Sequence, residues 1–580
     1  MSFAGRAKPA SRPISSYMER PHHVDEIWFA SYPPGVPHTI DPARHDSLVT
    51  LIDDACREFA TRPAFQSQGA TLSYGRFDEL ADAFARYLVD VCKVAPGDRV
   101  ALMMPNMLAY PVALLGVLRA GGVVVNVNPL YTVHEFVHQL GDAGARVLVA
   151  FEGVLAKVTA ARTELALDHV IVARMGDFMP WPRRLLVDFI AGRRTGGRDP
   201  VPSGAVGLRA AVRSGARSAA GLPRPALDDL AFLQYTGGTT GRAKGAMLTH
   251  RNIVANVLQV TSWFAADTVR GGEIMVTALP LYHVYALTSN CLGTIAVGGL
   301  NCLIADPRDL DTFLRTLSRL PFTSMTGVNT LFAALLDHPD FAQLDFSHLK
   351  FTSGGGMAVQ RVVAERWHAV TGSVLAEGYG LTEASPVVTV NRFDISTFTG
   401  SIGLPVPSTE IRIKATPEVD AAIGEPGELC VRGPQVMRGY WNNPAETAAV
   451  LDEDGWLHTG DIARIEADGY LYLVERKKDI ILVSGFNVYP NEIEDVVAAH
   501  PGVREVAAIG VPDARSGEAV RLIVVAAEPA PDAAAIIARC REHLTGYKVP
   551  RSVVFAEALP KTPVGKILRR ELRERYGDEP

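Results

Sequence analysis

The 580-residue sequence predicts an α/β protein of more than one domain, on three observations. Its length exceeds what a single hydrophobic core organises. Short Val/Ile/Leu-rich runs alternate with helical patterns through residues 45–385, the signature of α/β layers on mainly parallel sheets. From about Ser401 to Val474 the pattern changes to short strands separated by Gly, Pro and Asp turns, which predicts a small β-rich subdomain.

In chain order, strands are expected at Val100–Met104, Gly122–Val127, Val147–Phe151 and Leu230–Gln234. Before the last of these, Leu185, Leu186, Phe189 and Ile190 share one helical stripe, with Arg183, Arg184 and Asp188 mostly off it and Arg193 and Arg194 following. A core-facing helix is the expected reading, and an interfacial helix on anionic lipid the alternative. The Gly/Ala/Arg/Ser/Pro-rich residues 196–228 predict a long surface excursion. Val284–Ala305 carries no formal charge and approaches the roughly 20 residues of a membrane span, but Thr288, Ser289, Asn290, Gly298, Gly299 and Asn301 interrupt it. A buried helix, a Gly298-Gly299 turn and a strand over Leu300–Ala305 account for the stretch. The charged run Glu475–Asp479 predicts a linker, and the roughly 100 residues beyond it suffice for a compact α+β domain.

Composition narrows the function. With 48% hydrophobic and 21% charged residues the chain can bury a large core, and a net charge of -6 offers no global attraction to nucleic acid, which is excluded as a partner. Cys56, Cys92, Cys291, Cys302, Cys430 and Cys540 show no paired spacing, so a reducing, cytoplasmic setting is expected. Residues 1–25 lack a continuous apolar segment and read as a disordered leader, with a transit peptide as the lesser alternative.

The chemistry concentrates in two glycine loops. Tyr235–Gly245 follows an apolar strand and offers backbone N–H groups, hydroxyls and Lys244 to a polyphosphate. It lacks the Gly-Lys-Ser/Thr order of a P-loop, and in isolation it reads equally well as a flexible turn. Glu377–Glu383 presents an aromatic ring, a hydroxyl and a carboxylate together, suited to a nucleobase and to magnesium. A bare strand-to-helix turn is its alternative.

Both loops resemble those of the adenylate-forming superfamily of acyl-CoA synthetases, luciferases and adenylation domains. Leu279–His283, Ser353–Gly356, Gly455–Asp461, Ser484–Asn487 and Pro563–Lys566 resemble further motifs of that superfamily, in its order. The runs Val125–Thr132, Gly455–Lys478 and Val483–Asp495 are similar to those of bacterial long-chain fatty acid-CoA ligases, and the resemblance extends from Glu26 to Arg575. It implies a large N-terminal domain (26–476) of two α/β subdomains plus the β-rich one, a hinge at 477–479 centred on Lys478, and a mobile α+β lid (480–580).

The activity implied is ATP-dependent joining of a long-chain fatty acid to coenzyme A through an acyl-adenylate, with Mg2+ as cofactor. Thr236, Gly237, Gly238, Thr239, Thr240, Gly241 and Lys244 would wrap the phosphates. Thr236 and Glu383 would ligate magnesium. Gly355, Glu377, Gly378, Tyr379, Thr382, Asp461 and Arg476 would bind the ATP or AMP, Tyr379 covering the adenine, Asp461 accepting from the ribose hydroxyls and Arg476 adding a second ribose or phosphate contact. Lys566 would bridge carboxylate and α-phosphate, with His283 beside the acyl pocket, while Ser484, Gly485 and Phe486 would meet CoA. Alternatives are a medium-chain or aryl acid, or an acyl-binding protein without catalysis. Transient contact with the inner membrane surface and a homodimer remain open.

One motif competes. His134-Glu135-Phe136-Val137-His138 is a formal HExxH, but the third ligand position of its extended form is Gly144. Thr132–Glu135 is equally a capping box, which makes Glu135 a helix cap and disfavours a zinc protease.

Overall fold

A computed structural model describes residues 26–194, 201–236, 243–476, 478–484, 486–513, 515–562 and 565–577, with only the backbone for 192–194 and 476. The predicted leader lies outside the described residues. Two large sheets build the first part of the chain. One orders its strands Val206–Gly207, His169–Ala173, Val147–Phe151, Arg99–Met103, Val123–Asn126, Leu230–Thr236 and Lys244–Thr249. All neighbours are parallel except the last pair. The other runs Leu404–Pro405, Val387–Val390, Leu375–Gly380, Phe351–Gly354, Ser324–Gly327, Ile274–Thr277, Leu300–Leu303, Pro63–Ser67 and Ala70–Ser73, parallel in its centre and antiparallel at both ends. Parallel sheets need helices on their faces. The helix Ala109–Arg119 is buried along its whole length, as an all-round apolar helix must be. Its buried Arg119 is tolerated because it is paired with Asp53 and Asp78.

The expected strands form within a residue or two of their predicted ends. Val284–Ala305 becomes a π-helix over Ala286–Leu292, a helical turn Gly293–Ala296, a Gly298 turn at φ +74 and the strand Leu300–Leu303. Among the described residues no helix is long and apolar enough to cross a membrane.

Two expectations fail. Part of the predicted excursion is core: Val206–Gly207 joins the sheet, and the helix Leu208–Gly215 buries Leu208, Ala211 and Val212. Gly215 sits so close to the helix Tyr74–Asp90 that an added Cβ would lie 1.8 Å from the Ala83 carbonyl oxygen. Its small residues serve close helix packing, which composition does not distinguish from a loop. The helix Arg183–Arg194 does form, but it faces inward through Val187 and Asp188 and leaves Leu185, Leu186, Phe189 and Ile190 exposed. Asp188 Oδ1 accepts from the Gly176 N–H at 2.8 Å, and that bond orients the helix against its own stripe.

The β-rich region is an antiparallel sheet ordered Val419–Asp420, Glu410–Thr416, Gly427–Arg432, Leu457–Ile465 and Leu471–Arg476. After the charged run, Phe486–Val488, Ile481–Val483, Gly517–Ala526 and Val503–Asp513 form a separate small sheet, with Ser552–Phe555 pairing in parallel beside Gly517–Ala526. Its own apolar core, including Ile481, Val488, Ile493, Leu522 and Ile536, marks it as a distinct unit.

Candidate active site

The phosphate side of the site starts at a strand pair. Thr236 ends Leu230–Thr236 directly opposite Lys244, the first residue of Lys244–Thr249, so the register sets the two abreast. Gly237, Gly238, Thr239, Thr240 and Gly241 lie outside the described residues. The Lys244 ammonium pairs with Glu446 and lies 5.2 Å from the centre of the Tyr440 ring. Gly245 and Met247 exchange backbone hydrogen bonds with the 438–441 segment, which brings Tyr440 across from the loop. The Tyr440 hydroxyl donates to Glu383 Oε1 at 2.6 Å. Burial and the Glu383 charge push that phenol above its ordinary value, so it stays a donor.

The adenosine side is built where Leu375–Gly380 turns into the short 3-10 segment Thr382–Ala384. An added Cβ on Gly380 would lie 2.2 Å from the Pro386 carbonyl oxygen, so only glycine lets the turn close. Gly378 and Tyr379 pair with Val390 and Thr389, and Tyr379 reaches out to donate to Asp461 Oδ2 at 2.6 Å. Asp461 is 6% exposed and stands opposite Arg476 on the antiparallel pair of the β-rich sheet. Glu377 is buried and accepts from the Val359 N–H at 2.7 Å; burial pushes its carboxyl up to about 8, which leaves it largely neutral at pH 7.

The acyl side centres on His283. Gln234 donates to the Tyr282 carbonyl at 2.7 Å and so fixes the backbone before His283, while the Tyr285 N–H donates to His283 Nδ1 at 3.3 Å and orients the ring. Its surroundings, and next the charge of Lys566, lower the imidazole to about 4; it is neutral at physiological pH. Gly355 admits the Tyr285 ring, because a Cβ there would stand 2.9 Å from Tyr285 Cε1.

Lys566 arrives from the small domain. The turn before it closes through the Gly565 N–H to the Thr562 carbonyl at 2.8 Å and the Lys566 N–H to Thr562 Oγ1 at 3.1 Å. Gly565, at φ +84, lies against the large domain: a Cβ there would meet Thr330 Oγ1 at 2.7 Å. The linker beneath is clamped by Arg569, which reaches Glu475 at 3.4 Å, Asp479 at 3.6 Å and Glu494 at 2.8 Å. Burial opposes the Arg569 charge, but Glu494 and Glu475 outweigh it and raise the group further. Lys478 lies in the turn between these anchors.

The fold thus gathers Thr236, Lys244, His283, Gly355, Glu377, Tyr379, Thr382, Glu383 and Asp461 from separate elements, and Lys566 joins them from the small domain. Ser484 takes a left-handed φ of 53, Gly485 lies outside the described residues, and Phe486 is exposed with its ring stacked on Tyr547 at 4.7 Å. Tyr440, Glu446, Thr330 and Arg569 were not among the expected residues, and only contacts across the fold identify them. Two competing chemistries lose ground. Glu135 accepts from the Thr132 N–H at 2.8 Å in the expected capping box. Cys430 Sγ lies 3.4 Å from His458 Nδ1, which has Asp452 3.7 Å from its other nitrogen, but burial pushes the thiol up to about 12 and removes the nucleophilic thiolate.

Comparison with known proteins identifies the family. Residues 52–441 match the family of AMP-binding enzymes, and residues 492–566 match the AMP-binding enzyme C-terminal domain. The long-chain-fatty-acid–CoA ligase of Salmonella typhimurium is 53% identical over 95% of this chain and 98% of its own length. The enzyme of the same name from Escherichia coli O157:H7 is 52% identical over the same shares. The crystal structure of ATP-bound MatB from Rhodopseudomonas palustris superimposes with a TM-score of 0.79 at 30% identity, covering 91% of this chain and 99% of that one.

Proposed function

We infer the function from one premise, that the chain belongs to the AMP-binding enzyme family. It is an AMP-forming acid–CoA ligase, and its acid is a long-chain fatty acid. The acid carboxylate attacks the α-phosphorus of ATP, a P–O bond breaks, and diphosphate leaves with its electron pair. The CoA thiol then attacks the acyl carbonyl of the adenylate, loses its proton and expels AMP, giving the thioester. The thiol belongs to the substrate, so no protein nucleophile is required.

The observation that carries this reading is the Gly565–Lys566 turn seated against Thr330 of the large domain, which brings the lysine charge to bear, after burial, on His283. Adenylate formation crowds anions together, and a preorganised cation at that point stabilises the charge as it develops. The Lys566 ammonium bridges the attacking carboxylate and the α-phosphate. A neutral His283 lines the approach without trapping the carboxylate as an ion pair. Tyr379 covers the base and Asp461 accepts from the ribose hydroxyls. Neutral Glu377 lowers the negative potential that a polyphosphate meets on entry. Lys244 exchanges Glu446 for phosphate oxygens.

Hard oxygen donors at Glu383 and Thr236 fit magnesium, since Tyr440 engages only one Glu383 oxygen. Bound there, the ion would neutralise charge on the phosphates. The hinge is at 477–479, and the small domain, 480–580, swings to bring Ser484 and Phe486 to the pantetheine arm for the second step. The uncharged segment that follows His283 lines the alkyl chain, whose burial contributes about 0.8 kcal/mol per methylene. An acid of that hydrophobicity partitions into bilayers, so the enzyme works at or near a membrane surface.

Diphosphate release measured with acids from hexanoate to palmitate tests the assignment. The expected outcome is kcat/KM rising with chain length. A preference for hexanoate or for an aryl acid such as benzoate would overturn it.

A further inference from the structure

Sixteen large hydrophobic side chains are exposed among the described residues, and five of them fall between 181 and 190: Trp181 at 73%, with Leu185, Leu186, Phe189 and Ile190 at 45–59%. Scattered exposed side chains need no explanation, but a contiguous patch marks an interaction surface. We propose that this face of the helix Arg183–Arg194 docks on an anionic lipid bilayer, from which the long-chain acid is taken; the inference rests on the ligase reading above.

Charge selects the partner. The helix sequence, RRLLVDFIAGRR, opens and closes on arginine pairs. The acids of this region are turned inward: Asp177 and Asp188 are 4% and 7% exposed, each accepting at 2.8 Å from a backbone N–H, Arg174 for Asp177 and Gly176 for Asp188. From Arg174 to Ala191 the exposed surface therefore shows arginine and apolar side chains and no carboxylate. That combination fits phosphate headgroups with acyl chains beneath them. Trp181 at the start of the helix suits the headgroup boundary, where an indole has one apolar and one polar side. Val187, packed into the core, and the Asp188 bond pin the helix so that its stripe is presented rather than folded away.

Sedimentation of the full-length chain with vesicles of phosphatidylcholine, with and without phosphatidylglycerol, tests the proposal. Binding is expected to need the anionic lipid, to weaken with salt, and to fall at least tenfold in both Leu186→Ser/Phe189→Ser and Arg183→Glu/Arg184→Glu. Thermal unfolding should be unchanged in Leu186→Ser/Phe189→Ser, whose altered side chains are exposed, whereas Arg183→Glu/Arg184→Glu also removes the Arg183 bond to the Gly69 carbonyl and is compared at a temperature where it is folded. Diphosphate release from palmitate in Triton X-100 micelles should be retained by both variants. Vesicle binding equal to the parent in both variants, or none by the parent, overturns the docking surface. So does loss in these variants of a dimer or protein complex with vesicle binding intact, which reassigns the patch to a protein partner. Failure of every form to release diphosphate would instead fault the ligase reading, because the vesicle measurement does not depend on it.

Discussion

On the large-domain side of the cleft the groups are tied to second groups, Tyr379 to Asp461, Glu383 to Tyr440, Glu377 to the Val359 N–H and Lys244 to Glu446. On the small-domain side Lys566 is placed by its own turn and by contact with the large domain near Thr330, above a linker clamped through Arg569. The first wall is preorganised and pays for orientation during folding; the second delivers one charge and depends on docking. A two-step reaction with one active site suits that asymmetry. In the proposed reaction the nucleotide wall would serve both steps, whereas the lysine would be required only where the anions first meet.

The largest effect expected is at the clamp. Arg569→Met removes the cation that Glu475, Asp479 and Glu494 share, although Asp479 keeps Arg573 at 3.0 Å, and loss of one partner from a buried ionic cluster costs about 3–5 kcal/mol. Urea unfolding of the small domain should shift accordingly, with earlier proteolysis near residue 478; an unchanged midpoint would mean the clamp holds nothing.

Next is Lys566→Ala, which should lower adenylate formation about 100- to 1000-fold while sparing thioester formation from supplied acyl-adenylate. Measured by diphosphate exchange and by thioester assay, equal losses in both steps would erase the distinction between the walls. Lys478→Pro restricts the backbone of the linker and should do the reverse, slowing thioester formation by roughly tenfold or more with diphosphate release intact. Normal overall turnover would argue against a moving lid.

The smallest effect sharpens the description of the preorganised wall. The folded Glu377 carboxyl titrates near 8, against an ordinary 4.5 in the unfolded chain. Between those values the folded state holds the extra proton, so the contribution of this group to stability is fullest below 4.5 and is lost as pH rises toward 8. Glu377→Gln removes that loss. It should stabilise the protein by about 1–3 kcal/mol at pH 8 and by little at pH 4. A pH-independent difference between the two melting curves would refute the neutral carboxyl.

Much of the fold was legible before any coordinates. Although the charged run expected to be a linker begins inside the strand Leu471–Arg476, strand positions such as Val147–Phe151 and the change to short strands after Ser401 follow from period and turn chemistry, which are local properties. The same holds for the glycine loops, whose residue types declare their chemistry and their resemblance to a family. Local signals failed where one residue type serves two purposes. Small residues at Leu208–Gly215 read as a loop and are a close-packed helix. The stripe at Leu185–Ile190 read as a core face, but one buried aspartate turned it outward.

What the chain determined by itself was therefore its elements, its domain order and the chemical inventory of its loops, because backbone and side-chain preferences act over a few residues. Which groups meet was decided only by the tertiary structure. Tyr440 on Glu383, Glu446 on Lys244, Thr330 beside Gly565 and Arg569 on Glu475 each join positions between 57 and 235 residues apart. Such pairs carry no local signature, since their energy comes from shared burial and from charges brought close in a poorly screened interior.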